Sequence, residues 1–387
     1  MTPTAVDLIS DQPDQFPYSV VRRESVDMNA AWPDRRLLDL IGVEVPIVQA
    51  PMASAQGAAL AIAVSEGGGL GSLPCSLLDV DGVRSELVAF RTATSRPVNV
   101  NFFCHARAST DVAAEARWRD MLTPYYAEFG LTTDTQPADI KLEPFDAARC
   151  EVVEELRPEV VSFHFGLPDA SLLARVKGIG ARVLSTATTV AEARWLADQG
   201  CDAIIAQGAD AGGHRGMFLR PGLTDVASQI GTMALVPQVV DAVDVPVIAA
   251  GGIADGRGIA AAFMLGASGV QIGTGYLLCP EAQISGLHRA ALRSPTAAET
   301  ALTNVFTGRP ARSIVTRLMR EIGPLAAEAP PFPRASGALL PLRLAAEKAG
   351  DTAFTSLWSG QAAGLASELP AGELTQTLAA AALALMR

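Results

Sequence analysis

Eight short apolar runs recur along the chain, and this recurrence constrains the fold more than any other feature. Each run is continuous rather than alternating, which is typical of strands covered on both faces of a parallel sheet. Stretches of helical character separate them, for example 58–68, 80–94, 189–200 and 256–267. The runs are PIVQAPM (46–52), GLGSLP (69–74), PVNVNFF (97–103), VVSFHFG (160–166), ARVLSTA (181–187), AIIAQG (203–208), VPVIAAGG (245–252) and GVQIGTGYL (269–277).

Strands that alternate with helices in this way predict an α/β protein, namely a (β/α)8 TIM barrel over residues 36–295. A doubly wound open sheet is the competing layout, but its usual nucleotide motif, GxGxxG, does not follow the first strand. Residues 104–159 are longer than one crossover needs. We therefore expect a helical insertion there, at the carboxyl end of the barrel.

The two ends of the chain lie outside this strand and helix alternation. Residues 1–35 are polar and interrupted by proline, which predicts an extended N-terminal arm. The strand pattern stops after about residue 295. Residues 296–387 are predicted to form a smaller C-terminal helical domain that packs on the barrel.

Composition excludes several classes of function. The net charge of -11 argues against binding to a nucleic-acid backbone. No apolar stretch reaches the about 18 residues of a membrane span, and the N-terminus lacks a signal-peptide pattern. The 5 cysteines are scattered without a CxxC pair, and the histidines have no metal-ligand spacing. These features predict a cytoplasmic protein without a metal site.

Glycines at the ends of the last two barrel strands form the first candidate site. Gly251 and Gly252 end the seventh apolar run, and Gly273 with Thr274 ends the eighth. In many barrels the last two loops bind phosphate through unpaired backbone N–H groups. These glycines therefore predict an anion site, although closure of tight turns is the alternative explanation.

A second candidate site is AQGADAGGHRG (206–216), which leaves the sixth run. Gln207 can hydrogen-bond a ring carbonyl or nitrogen, and Gly212 with Gly213 leaves a flat space for a planar cofactor. His214 is then presented at the rim, where an imidazole suits proton abstraction. A purely structural histidine is the alternative.

The third candidate is His164, which should point inward from the fourth run, opposite Phe163 and Phe165. His105 and His288 have no comparable setting and are expected to be surface or structural residues. Arg309 and Arg312 in GRPAR either bind an anion or brace the C-terminal region, and the sequence leaves both open.

At these motifs the chain resembles the nitronate monooxygenases, most closely their class I branch. The resemblance runs from about Pro46 to the C-terminus. It is carried by motifs in the family's order: PIVQAPM, AQGADAGGHRG, AAGGIADGRG, QIGTGYL, TGRPAR and SLWSGQ.

This resemblance implies FMN bound in the barrel mouth, with a small nitronate or nitroalkane and O2 as the reacting partners. His214 would remove the α-proton of a nitroalkane or orient a nitronate, and His164 would face the substrate. The residues implied for the cofactor are Met52 beside the ring, Asn101, Gln207, Gly212 and Gly213 around it, and Gly251, Gly252, Gln271, Ile272, Gly273 and Thr274 toward the phosphate.

The chain departs from the class I pattern in the segment LPLRLAAEK. Leu340 and Leu344 stand where tyrosines are usual, while Lys348 keeps the position of a substrate-binding lysine. Asp210 stands where glutamate is common. The substrate pocket is therefore expected to be more apolar than in the family.

The predicted activity is oxidation of alkyl nitronates with O2 to carbonyl compounds plus nitrite or nitrate. An FMN-dependent NAD(P)H:quinone or enoyl-thioester reductase is the first alternative. A flavin-free phosphate-binding barrel, acting as an isomerase or a sensor, is the second. The sequence does not decide between a monomer and a homodimer.

Overall fold

The computed structural model describes residues 32–107, 111–132, 140 and 142–387. Residues 1–31, which make up most of the predicted N-terminal arm, lie outside the described residues. Parts of the predicted 104–159 insertion, at 108–110, 133–139 and 141, lie outside them as well.

Eight parallel strands form the barrel, and each coincides with one of the eight apolar runs. The strand order is β1-β9-β8-β6-β5-β4-β3-β2, and a parallel bridge between Val48 and Leu70 joins the two ends. The TIM-barrel prediction is therefore confirmed. The strands are β1 (Ile47–Gln49), β2 (Gly71–Pro74), β3 (Val98–Phe103), β4 (Val160–His164), β5 (Arg182–Ala187), β6 (Ala203–Gln207), β8 (Val247–Ala250) and β9 (Gly269–Ile272).

Both faces of the strands are covered, and most of the strand residues are apolar. Val100, Val161, Ile204 and Ile248 are each 0% exposed. Truncation of such a side chain to alanine typically costs about 2–5 kcal/mol of stability. The continuous apolar runs are therefore what the buried parallel sheet requires.

Thirteen helices are found in the described part of the chain. Helices α2, α3, α5, α6, α7, α8, α9 and α13 surround the barrel, with α13 packed between α9 and α2. Among the described residues, no helix is long and apolar enough to cross a bilayer. The helices are α1 (Arg36–Ile41), α2 (Ala58–Glu66), α3 (Val80–Ala93), α4 (Val112–Glu128), α5 (Ala147–Leu156), α6 (Ala170–Gly178), α7 (Val190–Asp198), α8 (Thr232–Val240), α9 (Gly256–Met264), α10 (Gly286–Arg293), α11 (Arg317–Glu321), α12 (Ala335–Lys348) and α13 (Ala371–Leu385).

The C-terminal region, predicted as a smaller helical domain over 296–387, contains strands as well as helices. Strands β10 (Thr300–Thr303) and β11 (Ala311–Ile314) form an antiparallel sheet there, with β7 (Gly213–His214) as its third strand. Since β7 follows barrel strand β6, this small sheet ties the C-terminal region to the barrel mouth. Helix α13 also belongs to the helical layer of the barrel, so the region is not a separate helical unit.

The described part of the 104–159 segment contains one extra helix, α4, and one regular crossover helix, α5. Helix α4 packs on α12 rather than on the barrel. The Trp118 indole N–H donates to the Ala335 carbonyl at 3.1 Å, and the Tyr126 hydroxyl donates to the Ala338 carbonyl at 2.6 Å. These buried contacts join the insertion to the C-terminal region above the barrel mouth.

Candidate active site

A cavity of about 760 Å³ opens at the carboxyl ends of the barrel strands. The strand ends form its floor, and residues of the C-terminal region, such as Phe306, Phe332 and Trp358, form its opposite wall. Most of the predicted site residues line it: Met52, Asn101, His164, Gln207, Gly212, Gly213, His214, Gly251, Gly252, Gln271, Gly273 and Thr274. Two do not, namely Ile272, which is buried in β9, and Lys348, which is exposed.

His214 is held by the small antiparallel sheet. Its backbone pairs with Ala311 of β11, and its Nε2 lies 2.9 Å from the Thr307 hydroxyl. Burial lowers the pKa of His214 to about 3, and repulsion from His164 and Arg309 adds to this shift. The imidazole is therefore neutral over the physiological pH range.

His164 fixes the loop that carries His214. Its Nε2 lies 3.2 Å from the His214 carbonyl, which can only accept, so this nitrogen carries the proton. Its Nδ1 then accepts from the Thr186 hydroxyl at 3.0 Å. Burial also lowers the pKa of His164 to about 3. His164 points inward as predicted, and its hydrogen bonds hold the His214 loop. Phe165, predicted to lie on the opposite face, instead packs beside His164 with ring centroids 4.5 Å apart, because its φ of +70° turns the chain there.

Gln207 holds the same loop. Its Nε2 donates to the His214 carbonyl at 3.0 Å, and its Oε1 accepts from the Gly216 backbone N–H at 2.8 Å. The amide oxygen and one amide hydrogen of Gln207 thus form hydrogen bonds with the protein backbone. Gln207 keeps its second amide hydrogen and one acceptor site on Oε1 for the ring contact that the sequence predicted.

Aromatic rings enclose His214 on several sides, and the sequence analysis did not select these residues. The centroids of Phe332 and Trp358 lie 5.3 and 5.4 Å from the His214 ring. Those of Phe165 and Phe103 lie at 6.0 and 6.3 Å. Trp358 and Thr307 belong to the motifs SLWSGQ and TGRPAR, so these motifs could have indicated both residues from the sequence. Phe332 lies in a proline-interrupted segment without such a signal.

The two glycines before His214 have different environments. A side chain at Gly213 would meet no atom within 4 Å, although its φ of +70° favours glycine. A Cβ at Gly212 would lie 2.5 Å from the Gly360 backbone nitrogen and 2.7 Å from the Ser359 carbonyl carbon. The backbone of 359–360 therefore packs against one side of Gly212, while Gly212 also lines the cavity.

The last two strand ends form the opposite edge of the cavity. Gly251 and Gly252 have φ values of +112° and +69°, a conformation that favours glycine. The Thr274 hydroxyl accepts from the Gly360 backbone N–H at 2.9 Å. The Gln271 Oε1 is buried, and no described residue donates a hydrogen bond to it.

Asn101 and Met52 lie between these two edges. The Asn101 amide donates to the Ser162 hydroxyl at 2.9 Å, which fixes the side chain at the end of β3. The Met52 backbone N–H donates to the Gln56 amide oxygen at 3.1 Å. Both residues are thus presented to the cavity by contacts on the barrel side.

Arg309 and Arg312 brace the fold and are not among the residues that line the cavity. The Arg309 guanidinium lies over the Phe165 ring, with Cζ 3.8 Å from the centroid, and donates to the Met217 carbonyl. Arg312 donates to the Ala209 carbonyl at 2.8 Å. Burial lowers the pKa of Arg309 to about 10, so it stays charged near the His214 cluster.

The other two histidines are buried, so a surface location, one of the two expected for them, is wrong. His105 is 4% exposed, and its Nε2 lies 3.0 Å from the Leu142 carbonyl. His288 is 8% exposed and lines the cavity, and burial lowers its pKa to about 4.

Helix α12 does not present the residues that the class I pattern predicted. Leu340 lines the cavity, but Leu344 is 55% exposed, and Lys348 is exposed at the last turn. The expected substrate contact of Lys348 is therefore corrected. The charged residues that α12 does bring to the cavity are Arg343 and Glu347.

A closed parallel barrel with a cavity at the carboxyl ends of the strands has the architecture of a TIM-barrel enzyme. The family model described as nitronate monooxygenase matches residues 34–381. Nitronate monooxygenase from Pseudomonas aeruginosa is 43% identical over 345 residues, which are 89% of this chain and 97% of that protein. The chain thus belongs to the nitronate monooxygenase family and is an oxidoreductase.

Two solved structures extend this comparison. Nitroalkane oxidase from Streptomyces ansochromogenes is 42% identical, with a TM-score of 0.83 and coverage of 91% of this chain and 98% of that one. FabK from Thermotoga maritima is 28% identical, with a TM-score of 0.67 and coverage of 90% and 95%. Both structures thus share the fold of this chain over nine-tenths of its length or more.

Proposed function

We propose that the chain is an FMN-dependent enzyme that oxidises alkyl nitronates. The observation that carries this proposal is one cavity that combines a neutral imidazole in an aromatic wall with a glycine-rich edge. His214 supplies the imidazole, and Gly251, Gly252 and Gly273 supply the edge.

The cavity residues fit FMN. A volume of about 760 Å³ is within the usual range for ligand cavities, about 300–1,000 Å³. The buried Oε1 of Gln271 needs a donor, which an N–H or a hydroxyl of the cofactor can provide. Backbone N–H groups around Gly252, Gly273 and Thr274 would hold the phosphate, and Met52 with Asn101 would lie beside the ring. When bound, FMN supplies a two-electron acceptor.

His214 is better suited to orient an anion than to act as a strong base. An imidazole with a pKa of about 3 has little tendency to take up a proton. A nitronate brings a negative charge, which the cationic Arg309 over Phe165 attracts across the aromatic wall. The neutral ring can then donate one hydrogen bond to a nitronate oxygen.

A neutral nitroalkane requires one more step. The α-proton moves to a nitrogen of His214, and the charge left behind spreads over the nitro oxygens. This step yields an imidazolium in a buried site, so it should be slower than reaction of a nitronate formed in solution. With O2 as co-substrate, the proposed products are a carbonyl compound and nitrite or nitrate.

Anaerobic mixing tests this proposal. The purified chain with FMN should lose its flavin absorbance band on addition of a nitronate, for example propionate 3-nitronate. The NAD(P)H-dependent reductase alternative predicts the reverse, with rapid bleaching by NADH or NADPH and none by nitronates. A chain that binds no FMN, or whose FMN no nitronate bleaches, would contradict the proposal.

A further inference from the structure

Of the described residues, Thr307 is the one that forms a hydrogen bond with the ring of His214. The Thr307 hydroxyl lies 2.9 Å from Nε2 of His214 and 3.4 Å from the Arg309 carbonyl oxygen. The other ring nitrogen, Nδ1, has no hydrogen-bond partner among the described residues, and His214 lines the cavity. Nδ1 is therefore the nitrogen that remains for a molecule bound there.

A sharp turn at Gly308 places the Thr307 hydroxyl between these two partners. Gly308 has a φ of +86°, which favours glycine, and a Cβ there would overlap the Pro330 carbonyl oxygen. The turn brings the Arg309 carbonyl back to the side chain of Thr307. This local geometry gives the first residues of the TGRPAR motif a role beside His214.

The hydrogen bonds of Thr307 depend on which nitrogen of His214 carries a proton. The low pKa of His214, caused by burial, keeps the ring neutral, so a single proton sits on Nε2 or on Nδ1. With the proton on Nε2, this nitrogen donates to Thr307, and the Thr307 hydroxyl donates to the Arg309 carbonyl. With the proton on Nδ1, the hydroxyl donates to Nε2 instead, and the Arg309 carbonyl loses this donor. The first arrangement satisfies more of the polar groups.

We propose that Thr307 is a positioning residue that keeps the proton of the neutral His214 ring on Nε2 and leaves the lone pair of Nδ1 for the substrate. This inference deepens the proposed function, and its consequences for turnover rest on that function. When a nitroalkane reacts, its α-C–H bond breaks and the proton bonds to Nδ1, while the electron pair moves onto the nitro group. The resulting imidazolium donates from Nε2 to Thr307, so the hydroxyl stabilises the charge that forms.

A nitronate that binds from solution makes the opposite demand on the ring. Its oxygens accept hydrogen bonds, so Nδ1 has to carry the proton. The Thr307 hydroxyl can then turn from the Arg309 carbonyl and donate to Nε2. A hydroxyl serves both states because it donates and accepts, whereas a carbonyl at this position would always hold the proton on Nε2.

Nitrogen-15 NMR of the purified full chain without substrate tests the proposal, since it distinguishes protonated from unprotonated ring nitrogens. The chain has 4 histidines, and the signals lost in His214→Asn identify those of His214. In the wild type, Nε2 should be protonated and Nδ1 should not. Thr307→Val has nearly the same shape without the hydroxyl and should show a mixture of the two tautomers. Thr307→Ser should restore the wild-type signals.

Thr355→Val is the matched control for the NMR experiment. Thr355 also lines the cavity, but its hydroxyl donates to Glu347 at 2.9 Å and not to the His214 ring. Loss of this hydroxyl should leave the tautomer of His214 unchanged. A change of tautomer in both valine variants would show a general effect of the cavity wall and would overturn the assignment to Thr307.

Steady-state kinetics give a second readout. Thr307→Val should lower kcat for a neutral nitroalkane by about 10–100-fold, the effect expected for one hydrogen bond to a charged group, with little change in KM. Turnover of the corresponding nitronate should fall much less, because the ring then stays neutral. Thr307→Ser should keep most of the wild-type kcat on both substrates.

Protonation of Nδ1 in the wild type would overturn the proposal, as would an unchanged tautomer in Thr307→Val. The same loss of kcat on the nitroalkane and on the nitronate would contradict the stabilisation of an imidazolium by Thr307. The NMR result does not depend on the reaction. A chain that oxidises no nitronate would therefore end the proposed function, while the tautomer of His214 would still decide this inference.

Discussion

The stability of the chain should fall steeply in weak acid, because two of its 4 histidines are buried and the other two are half-buried at the cavity wall. The pKa values of His164 and His214 are lowered to about 3 and that of His288 to about 4, in each case mainly by burial. In the unfolded chain these groups titrate near 6.5. Between these values the unfolded state binds more protons than the folded state, so lowering the pH favours unfolding.

The size of the effect follows from the pKa difference. One pKa unit is worth about 1.36 kcal/mol, so a histidine that stays neutral in the fold loses about 1.9 kcal/mol between pH 7 and pH 5. His164, His214 and His288 together should therefore cost about 6 kcal/mol. This is comparable to the whole stability of an ordinary protein, about 5–15 kcal/mol. Carboxylates with lowered pKa values, such as Glu128, titrate below this window.

Urea unfolding of wild type and His214→Asn, at about pH 7 and about pH 5, measures this contribution. The asparagine can keep a hydrogen bond to Thr307 but cannot take up a proton. The variant should lose about 2 kcal/mol less than wild type between the two pH values, whatever its stability at pH 7. Equal losses in the two proteins would refute a neutral, buried His214.

Three further predictions concern single residues. His214→Asn should slow turnover of a neutral nitroalkane by about 10²–10⁴-fold, because the nitroalkane needs a base. Turnover of the corresponding nitronate, which needs no base, should fall much less. Equal losses for the two substrates in steady-state kinetics would argue against proton transfer to His214. Gly212→Ala should lower the free energy of unfolding by about 1–3 kcal/mol, since its Cβ would overlap the backbone of 359–360. The control Gly286→Ala, which meets no atom within 4 Å, should change little in the same denaturation experiment. Lys348→Met should leave kcat/KM for nitronates within about twofold of wild type, as is usual for an exposed side chain. A large rise in KM would show that Lys348 contacts the substrate after all.

The barrel could be predicted from the sequence because its strands are buried on both faces. Each continuous apolar run, such as AIIAQG at β6, became a strand at that position. The N-cap of α7 is a local feature of the same kind, since the Thr189 hydroxyl accepts from the Glu192 backbone N–H at 3.1 Å. These signals are local, and one sequence is enough to find them.

The small sheet could not be predicted, because its strands depend on partners far away in the chain. Gly213–His214 is a two-residue strand that exists only through its pairing with β11. A dipeptide has no periodicity, so the sequence marked His214 as a candidate but not the element that holds it. The contact of Gly212 with the backbone of 359–360 could not be predicted for the same reason, since these residues are far from it in the chain.

The predicted contact of Lys348 with the substrate failed because of the geometry of helix α12. Residues spaced by four drift about 40° per step around a helix, so Lys348 lies about 80° away from Leu340. Only Leu340 of that series lines the cavity, whereas Arg343 and Glu347 share its face. The family pattern gives positions along the sequence, but it does not give the direction in which the helix presents each side chain.

The central claim is that the barrel mouth is an FMN site, and a binding titration tests it most directly. Quenching of flavin fluorescence should show one FMN per chain. Gly273→Val should abolish this binding, because a side chain there projects toward Ala50 and Met52 at the cavity wall. No quenching with wild type, or equal FMN affinity in wild type and Gly273→Val, would contradict the account.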